Sequence, residues 1–140
     1  MPNAKPDSHM ARLAVSVNKG VPMISVPDIV STLDWYASIG FKEIGRYEDD
    51  DVANFGMLAF GKAEIMLHPG GVRGPHDVSL WFYTDRLDDL YRTLKSRREP
   101  NDREEIEFVE DIYDAFYGAR EFGIRDLNGY ILYFIQPKAA

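Results

Sequence analysis

The chain has 140 residues, 45% of them hydrophobic, which is typical of one soluble globular domain. Its 23 acidic and 16 basic residues give a net charge of −7, the wrong sign for a phosphate-binding surface, so we expect no nucleic-acid partner. The lack of cysteine excludes disulfides, thiolate nucleophiles and Cys-ligated metal centres. No apolar run reaches the roughly 18 residues that span a bilayer. The first residues make a poor secretory signal, so we expect a cytoplasmic protein without a membrane partner.

The first half of the chain predicts the element order β-α-β-β-β. Residues 1–20 form a polar N-terminal extension whose start is expected to fray. After the strand "VPMISV", Pro27 stops the strand and Asp28 is placed to cap a helix that Gly40 ends. Alternating apolar and polar residues then predict a half-buried strand and a hairpin, at 41–48, 52–61 and 63–71.

The second half repeats this order. A strand at 77–84 precedes a helix at 86–97, for which Thr84 or Asp85 is the expected cap, and a charged connector follows at 98–105. The remaining strands are predicted at 106–116, 119–126 and 129–136, with "DLNG" as the last turn. The halves match at an offset of 57, which places Asp28 over Asp85. We therefore predict an α+β fold of two βαβββ modules, at 21–72 and 76–137, in one structural domain.

Two stretches carry a family resemblance: "VPDIVSTLDWYASIGF" at 26–41 and "REFGIRDLNGYILYF" at 120–134. Together they resemble the vicinal oxygen chelate superfamily of glyoxalases, extradiol dioxygenases, fosfomycin-resistance enzymes and bleomycin-resistance proteins. The closest likeness is to the bleomycin-resistance-like branch, although Leu127 and Asn128 replace its usual Pro-Asp and Tyr130 replaces an Asn. The resemblance implies mixed sheets that curl around a cavity, and a homodimer.

In the metal enzymes of this superfamily, the first and last strands of each module supply the ligands. The matching positions here are Val21, Met66, Val78 and Tyr133. Valine cannot ligate, methionine is too soft a donor for these metals, and one phenolate is not a site. The resemblance therefore implies neither a metal nor another cofactor, and it favours a protein that is not an enzyme.

A rearranged metal site is the alternative. Side chains alternate along a strand, so Glu64 and His68 share one face, and together with His76 they could bind a metal if both strands lined one cavity. The alternative function is a metal-dependent lyase, isomerase or dioxygenase of the glyoxalase type. A third possibility is a non-catalytic scaffold whose cavity is filled with side chains.

An aromatic pocket is the preferred site. Strand parity places Phe82 and Tyr133 on the face of the ligand positions, whereas Trp81 points towards the helices. The predicted ligand-binding residues are Met66, Phe82, Tyr133, Glu64, His68, Phe55 and Tyr117. An apolar pocket with carboxylates at its rim suits an organic molecule that is aromatic or cationic. We expect a metal-free protein that resembles bleomycin-resistance proteins and sequesters such a molecule in a homodimer.

The adjacent Arg120 and Glu121 must face opposite sides of their strand, and a structural role is expected for both.

Overall fold

The computed structural model describes residues 7–97 and 106–138. The predicted charged connector at 98–105 lies outside these residues. The first module comprises β1 (Met23–Val26), α2 (Ile29–Ser38), β2 (Lys42–Asp49), β3 (Val52–Phe60) and β4 (Ala63–Pro69). The second comprises β5 (Ser79–Tyr83), α3 (Leu87–Ser96), β6 (Glu107–Ala115), β7 (Ala119–Arg125) and β8 (Ile131–Pro137). The predicted α+β class and the β-α-β-β-β order of both halves are confirmed.

A short helix that the sequence did not predict precedes the first module. This helix, α1 (Ser8–Ala14), is capped by the Asp7 carboxylate and buries none of its residues. Further along the extension, the Lys19 ammonium group lies 2.5 Å from the Glu64 carboxylate on β4. No helix in the described part of the chain is long and apolar enough to cross a membrane.

Each module forms a four-stranded mixed sheet, with the orders β1-β4-β3-β2 and β5-β8-β7-β6. In both sheets the first strand runs parallel to the last, and the other pairs are antiparallel. The helix between the first two strands makes this parallel crossover possible, because a tight turn cannot join parallel strands. Asp28 caps α2 as predicted, since its carboxylate accepts a hydrogen bond from the Ser31 amide at 2.8 Å.

The start of α3 differs from the prediction and corrects the offset between the modules. The residue that precedes this helix is Arg86, and neither Thr84 nor Asp85 takes that position. Helix α2 begins at Ile29 and α3 at Leu87, so the modules are related by an offset of 58 instead of 57. Because side chains alternate along a strand, this single residue reverses the predicted facing of every residue in β5.

The two modules share one hydrophobic core. Each sheet turns one face towards its helix, and side chains from both of these faces meet in the middle of the molecule. Phe41 stacks on Phe60 with ring centroids 4.5 Å apart, and Phe82 of the second module packs edge-on against Phe41 at 5.7 Å. Such aromatic contacts add specific geometry to the burial of large apolar surfaces.

Buried hydrogen bonds also join the modules. Tyr36 on α2 donates its hydroxyl hydrogen to the Asp126 carboxylate at 2.6 Å, and Asn128 donates to the Thr32 hydroxyl at 2.9 Å. Burial raises the pKa of Asp126. The predicted "DLNG" turn thus packs its polar side chains against the opposite module, which explains why these side chains are buried and satisfied.

Candidate ligand-binding site

The sheet faces that point away from the helices remain outside the shared core, and we call them the first and second open faces. The second open face is aromatic and acidic. Its side chains come from all four strands of the second sheet: Ser79, Trp81 and Tyr83, then Ile131 and Tyr133, then Glu121, and finally Glu110 and Tyr113. The side chains that alternate with them, such as Phe82 and Phe134, lie in the core.

Trp81 and Tyr133 form the aromatic centre of the second open face. They are neighbours on parallel strands, and their ring centroids lie 5.0 Å apart. Opposite Tyr133 stands Gly123, where an added Cβ would lie 2.8 Å from the tyrosine ring. The glycine therefore leaves the space in which this ring lies across β7. Trp81 remains 46% exposed, so its ring can contact a ligand.

A pair of carboxyl groups lies on the same face. Glu121 on β7 is only 3% exposed, and Glu110 on β6 is half-buried. In each of them the Oε1 atom is buried and no described residue donates a hydrogen bond to it. Burial, followed by the hydrogen bond that a protonated Glu110 makes to Glu121 and by the charge of Glu121, raises the pKa of Glu110 to about 7. An acidic pair of this kind holds a proton or a cation, because two adjacent buried carboxylates repel each other.

Two tyrosines border the carboxyl pair. Burial, followed by the charges of Glu110 and Glu121, raises the pKa of Tyr133 and of Tyr113. These shared influences indicate that Glu110, Glu121, Tyr113 and Tyr133 lie close together. We call these four residues and Trp81 the acidic-aromatic cluster. The cluster combines aromatic faces with buried negative charge, the two features that recognise organic cations.

The first open face is more aliphatic. Met66 on β4 lies between Met23 on β1 and Met57 on β3. Beside them the Ser25 hydroxyl lies 2.8 Å from His68 Nε2, while His68 Nδ1 lies 2.9 Å from the Pro69 carbonyl oxygen. Since Nδ1 donates to this carbonyl, Nε2 accepts from Ser25. Both ring nitrogens of His68 are therefore engaged within the sheet.

The residues predicted from the sequence do not lie on one surface. Glu64, Met66, His68 and Phe55 are on the first open face, and Tyr133 is on the second. Tyr117 lies in the turn between β6 and β7, 48% exposed, with its ring against Phe116.

The predicted facing of Phe82 is wrong. Phe82 pairs with Phe134, is 8% exposed and belongs to the core, whereas Trp81 takes the place beside Tyr133. The cause is the offset between the modules, which is one residue larger than the sequence alignment of the halves assumed.

A groove of about 860 Å³ adjoins the second open face at β5. It lies between the turn that joins β3 to β4 and the start of α3. Its lining includes Phe60, Lys62, Trp81, Phe82, Tyr83 and Arg86. Trp81 thus belongs both to the acidic-aromatic cluster and to the rim of this groove, so a ligand on the second open face can extend into it.

The alternative metal site does not assemble. His76 stacks on Tyr130 at 4.0 Å and its Nε2 lies 3.0 Å from the Val72 carbonyl oxygen, while Glu64 pairs with Lys19. Among residues 7–97 and 106–138, no three His, Asp or Glu side chains are grouped as metal ligands.

The usual ligand positions of the metal enzymes do not fit a metal either. The corrected offset moves the position at Val78 to Ser79, whose hydroxyl accepts a hydrogen bond from the Trp81 indole at 2.9 Å. The other three positions remain Val21, Met66 and Tyr133. These are not the imidazole and carboxylate donors that such metals require.

Comparison with known proteins places this architecture. No family model matches the sequence, and no curated protein matches it significantly. Solved structures do match. A bleomycin-binding protein complexed with bleomycin is 19% identical, has a TM-score of 0.68, and the match covers 87% of this chain and 100% of that one. The chain has the glyoxalase/bleomycin-resistance fold.

Other proteins with the glyoxalase/bleomycin-resistance fold match equally well. A bleomycin resistance determinant encoded on the transposon Tn5 is 20% identical, with a TM-score of 0.67 and coverage of 88% of this chain and 100% of that one. A glyoxalase-related enzyme from Clostridium phytofermentans is 22% identical, with a TM-score of 0.67 and coverage of 86% and 95%. The fold therefore occurs in binding proteins and in enzymes. Only the side chains of this protein can indicate which of these two roles it has.

Sequence reasoning missed Trp81, Tyr113, Glu110 and Glu121 as members of a site. One signal was available. If the last hairpin closes through the three residues Leu127, Asn128 and Gly129, so that Asp126 pairs with Tyr130, then Gly123 stands opposite Tyr133 and Glu121 shares the Tyr133 face, whereas a two- or four-residue turn would place Glu121 on the other face. The expected structural role does describe Arg120, which faces the other side and contacts Asp88 at 3.3 Å.

Proposed function

We propose that the protein binds a small organic molecule that carries both a planar aromatic group and a positive charge. The binding surface is the second open face, and the protein holds this ligand without making or breaking a bond. The observation that carries the proposal is the Trp81–Tyr133 ring pair beside the Glu110–Glu121 pair, whose buried Oε1 atoms receive no hydrogen bond from the described residues. Aromatic faces attract cations through their quadrupole, and buried carboxylates add charge-assisted hydrogen bonds.

Binding without catalysis is supported by the side chains at the positions where glyoxalase-type enzymes hold a metal. Val21, Met66, Ser79 and Tyr133 offer no ligand set for Fe, Mn, Ni or Zn. The likeness to a bleomycin-binding protein complexed with bleomycin supports a binding role for the same fold. The metal-dependent alternative lacks a comparable supporting feature, because Glu64, His68 and His76 each have other partners.

We also propose that the protein is a homodimer. Large apolar side chains remain exposed on both open faces and beside them, among them Met23, Val78 and Tyr83. A second copy that covers part of these faces would bury this surface while it leaves the acidic-aromatic cluster as the floor of a crevice. Light scattering coupled to gel filtration measures the mass: the proposal predicts about twice the 16.0 kDa of one chain, and a monomer at micromolar concentration contradicts it.

A thermal-shift screen tests the binding function. The panel contains aromatic amines and amidines together with their neutral isosteres, because a ligand that binds only the native state raises the melting temperature. We expect the cations to stabilise the protein and Trp81→Ala to abolish this effect. Trp35→Phe is the matched control, because Trp35 lies on α2 in the first module.

Metal analysis of the purified protein is the companion experiment. We expect no stoichiometric Fe, Mn, Ni or Zn and no change in the ligand-induced shift after treatment with a chelator. Stoichiometric metal that His68→Gln removes would support the enzyme alternative. A panel without any stabilising compound would contradict the binding function.

A further inference from the structure

Within residues 7–97 and 106–138, the Glu110–Glu121 pair has no counter-charge. The neighbouring Arg120 points to the helix side of the sheet, where Asp88 and Asp114 bind its guanidinium group at 3.3 Å and 3.5 Å. Arg125 is on the same face as Glu121, yet its Nε donates to Glu107 at 3.1 Å. Among the described residues, no lysine or arginine makes an ion pair with Glu110 or Glu121.

The groups that face the pair come from every strand around it. Strand β6 contributes Tyr113, β8 contributes Tyr133, β7 contributes Arg125 further along, and β5 contributes the uncharged ring of Trp81. Both tyrosines are neutral near physiological pH, since the ordinary pKa of tyrosine is already about 10 and burial raises it further. In the part of the chain that the structure describes, the groups around the two carboxyl groups therefore supply aromatic surface but no cation that is free to neutralise them.

Glu121 is only 3% exposed, and a buried carboxylate oxygen destabilises the folded protein unless another group donates a hydrogen bond to it or neutralises its charge. In the free protein, a proton held between the two carboxyl groups supplies this hydrogen bond and removes one of the two negative charges. A fork-shaped cation can take the place of this proton, since an amidinium or guanidinium group presents parallel N–H donors to carboxylate oxygens. Glu110 is half-buried and connects the pair to the surface of the second open face.

We propose that the Glu110–Glu121 pair anchors an amidinium or guanidinium group whose aromatic body lies on Trp81 and Tyr133, and that binding expels the proton that the pair holds in the free protein. This inference rests on the proposed function and names its ligand class and its charge recognition. The proton balance is simple. The protonated pair and the cation give the complex of the cation with two carboxylates, and one proton passes to the solvent.

This exchange makes affinity depend on pH. The pKa of Glu110, raised to about 7, means that the free pair keeps its proton at about pH 6 and has lost it at about pH 8. A ligand that needs both carboxylates must displace the proton at the lower pH. The affinity for the cation should therefore rise about tenfold between about pH 6 and about pH 8.

Benzamidine is a suitable probe, because it joins an aromatic ring to an amidinium group and keeps its charge over this pH range. Isothermal titration calorimetry in buffers of different ionisation enthalpy counts the protons released. We expect about one proton per benzamidine bound at about pH 6, close to none at about pH 8, and affinity about tenfold higher at the higher pH. Benzamide, the neutral compound of the same shape, should bind at least about tenfold more weakly.

Two variants of the pair and one control complete the test. Glu121→Gln keeps the side-chain volume and should remove both the proton release and the pH dependence, and Glu110→Gln should do the same at a more exposed position. Glu48→Gln, on the first sheet and exposed, should leave both unchanged. Circular dichroism shows whether each variant folds. If Glu121→Gln does not fold, Glu110→Gln alone provides the test.

The outcomes separate this inference from the proposed function. Benzamidine binding without proton release at about pH 6, equal binding of benzamide, or proton release and pH dependence that survive in both glutamine variants would overturn the inference and leave the binding function standing. Failure of benzamidine to bind, when other members of the panel stabilise the protein, also overturns it. If no compound in the panel binds, the proposed function itself fails.

Discussion

Replacement of Glu110 by glutamine should stabilise the protein, and only at neutral and alkaline pH. The pKa of Glu110 rises from an ordinary 4.5 to about 7 in the folded state, because of burial and of Glu121. The folded protein therefore binds this proton more tightly than the unfolded chain does. Stability falls as pH rises from about 4.5 to about 7, and the whole cost is present above that range.

The size of the effect follows from the shift. A change in the pKa of Glu110 from 4.5 to about 7 corresponds to a loss of about 3 kcal/mol of unfolding free energy at high pH, if the shift is taken in full. Solvent reaches the half-buried Glu110 and screens its repulsion with Glu121, which reduces the expected cost to about 1–2 kcal/mol. The glutamine amide can in addition donate a hydrogen bond to the unpartnered Oε1 of Glu121.

Urea denaturation followed by circular dichroism measures this difference. At about pH 4.5 the variant and the parent protein should have nearly equal free energies of unfolding, and at about pH 8 the variant should be more stable by about 1–2 kcal/mol. Glu48→Gln should leave the pH dependence unchanged. A Glu110→Gln protein that is less stable at about pH 8, or a difference that does not vary with pH, would refute the idea of two carboxyl groups sharing a proton.

Further substitutions separate the binding surface from the core. Trp81→Ala should abolish binding of aromatic cations with a stability change within about 1 kcal/mol, whereas Phe82→Ala should cost about 3–5 kcal/mol of unfolding free energy, measured in urea. Tyr36→Phe leaves the buried Asp126 carboxylate short of a donor and should cost about 1–3 kcal/mol in the same assay. Gly123→Ala places a methyl group against the Tyr133 ring and should weaken ligand binding, followed by tryptophan fluorescence; unchanged affinity would contradict the assigned ring position.

The fold was readable from local signals. Asp28 at the helix start, the alternating strands and the "DLNG" turn are each dictated by short-range physical chemistry, and the structure places all three where they were predicted. The error at β5 arose because the sequence alone does not fix the length of a strand-to-helix turn. Arg86, a residue with no capping side-chain bond, occupies the position before α3, so the offset between modules changed by one.

The acidic pair was harder to find because β6 is irregular. Its pairing with β7 shifts on both sides of Glu110, so Glu110 and Tyr113 face the same side although three positions separate them. A bulge inserts an extra residue and breaks the simple alternation on which facing arguments depend. The order of apolar and polar residues in "EFVEDIYDA" does not predict such a shift, which is visible only in the pairing of β6 with β7.

The central claim is that the second open face binds the ligand, and nuclear magnetic resonance tests it most directly. The protein labelled with ¹⁵N is titrated with the most stabilising compound of the panel. We expect the largest chemical-shift changes at the Trp81 indole N–H and at the amides of Glu121, Gly123 and Tyr133. Saturable changes confined to the first sheet around Met66 and His68, with the second sheet unaffected, would contradict the account.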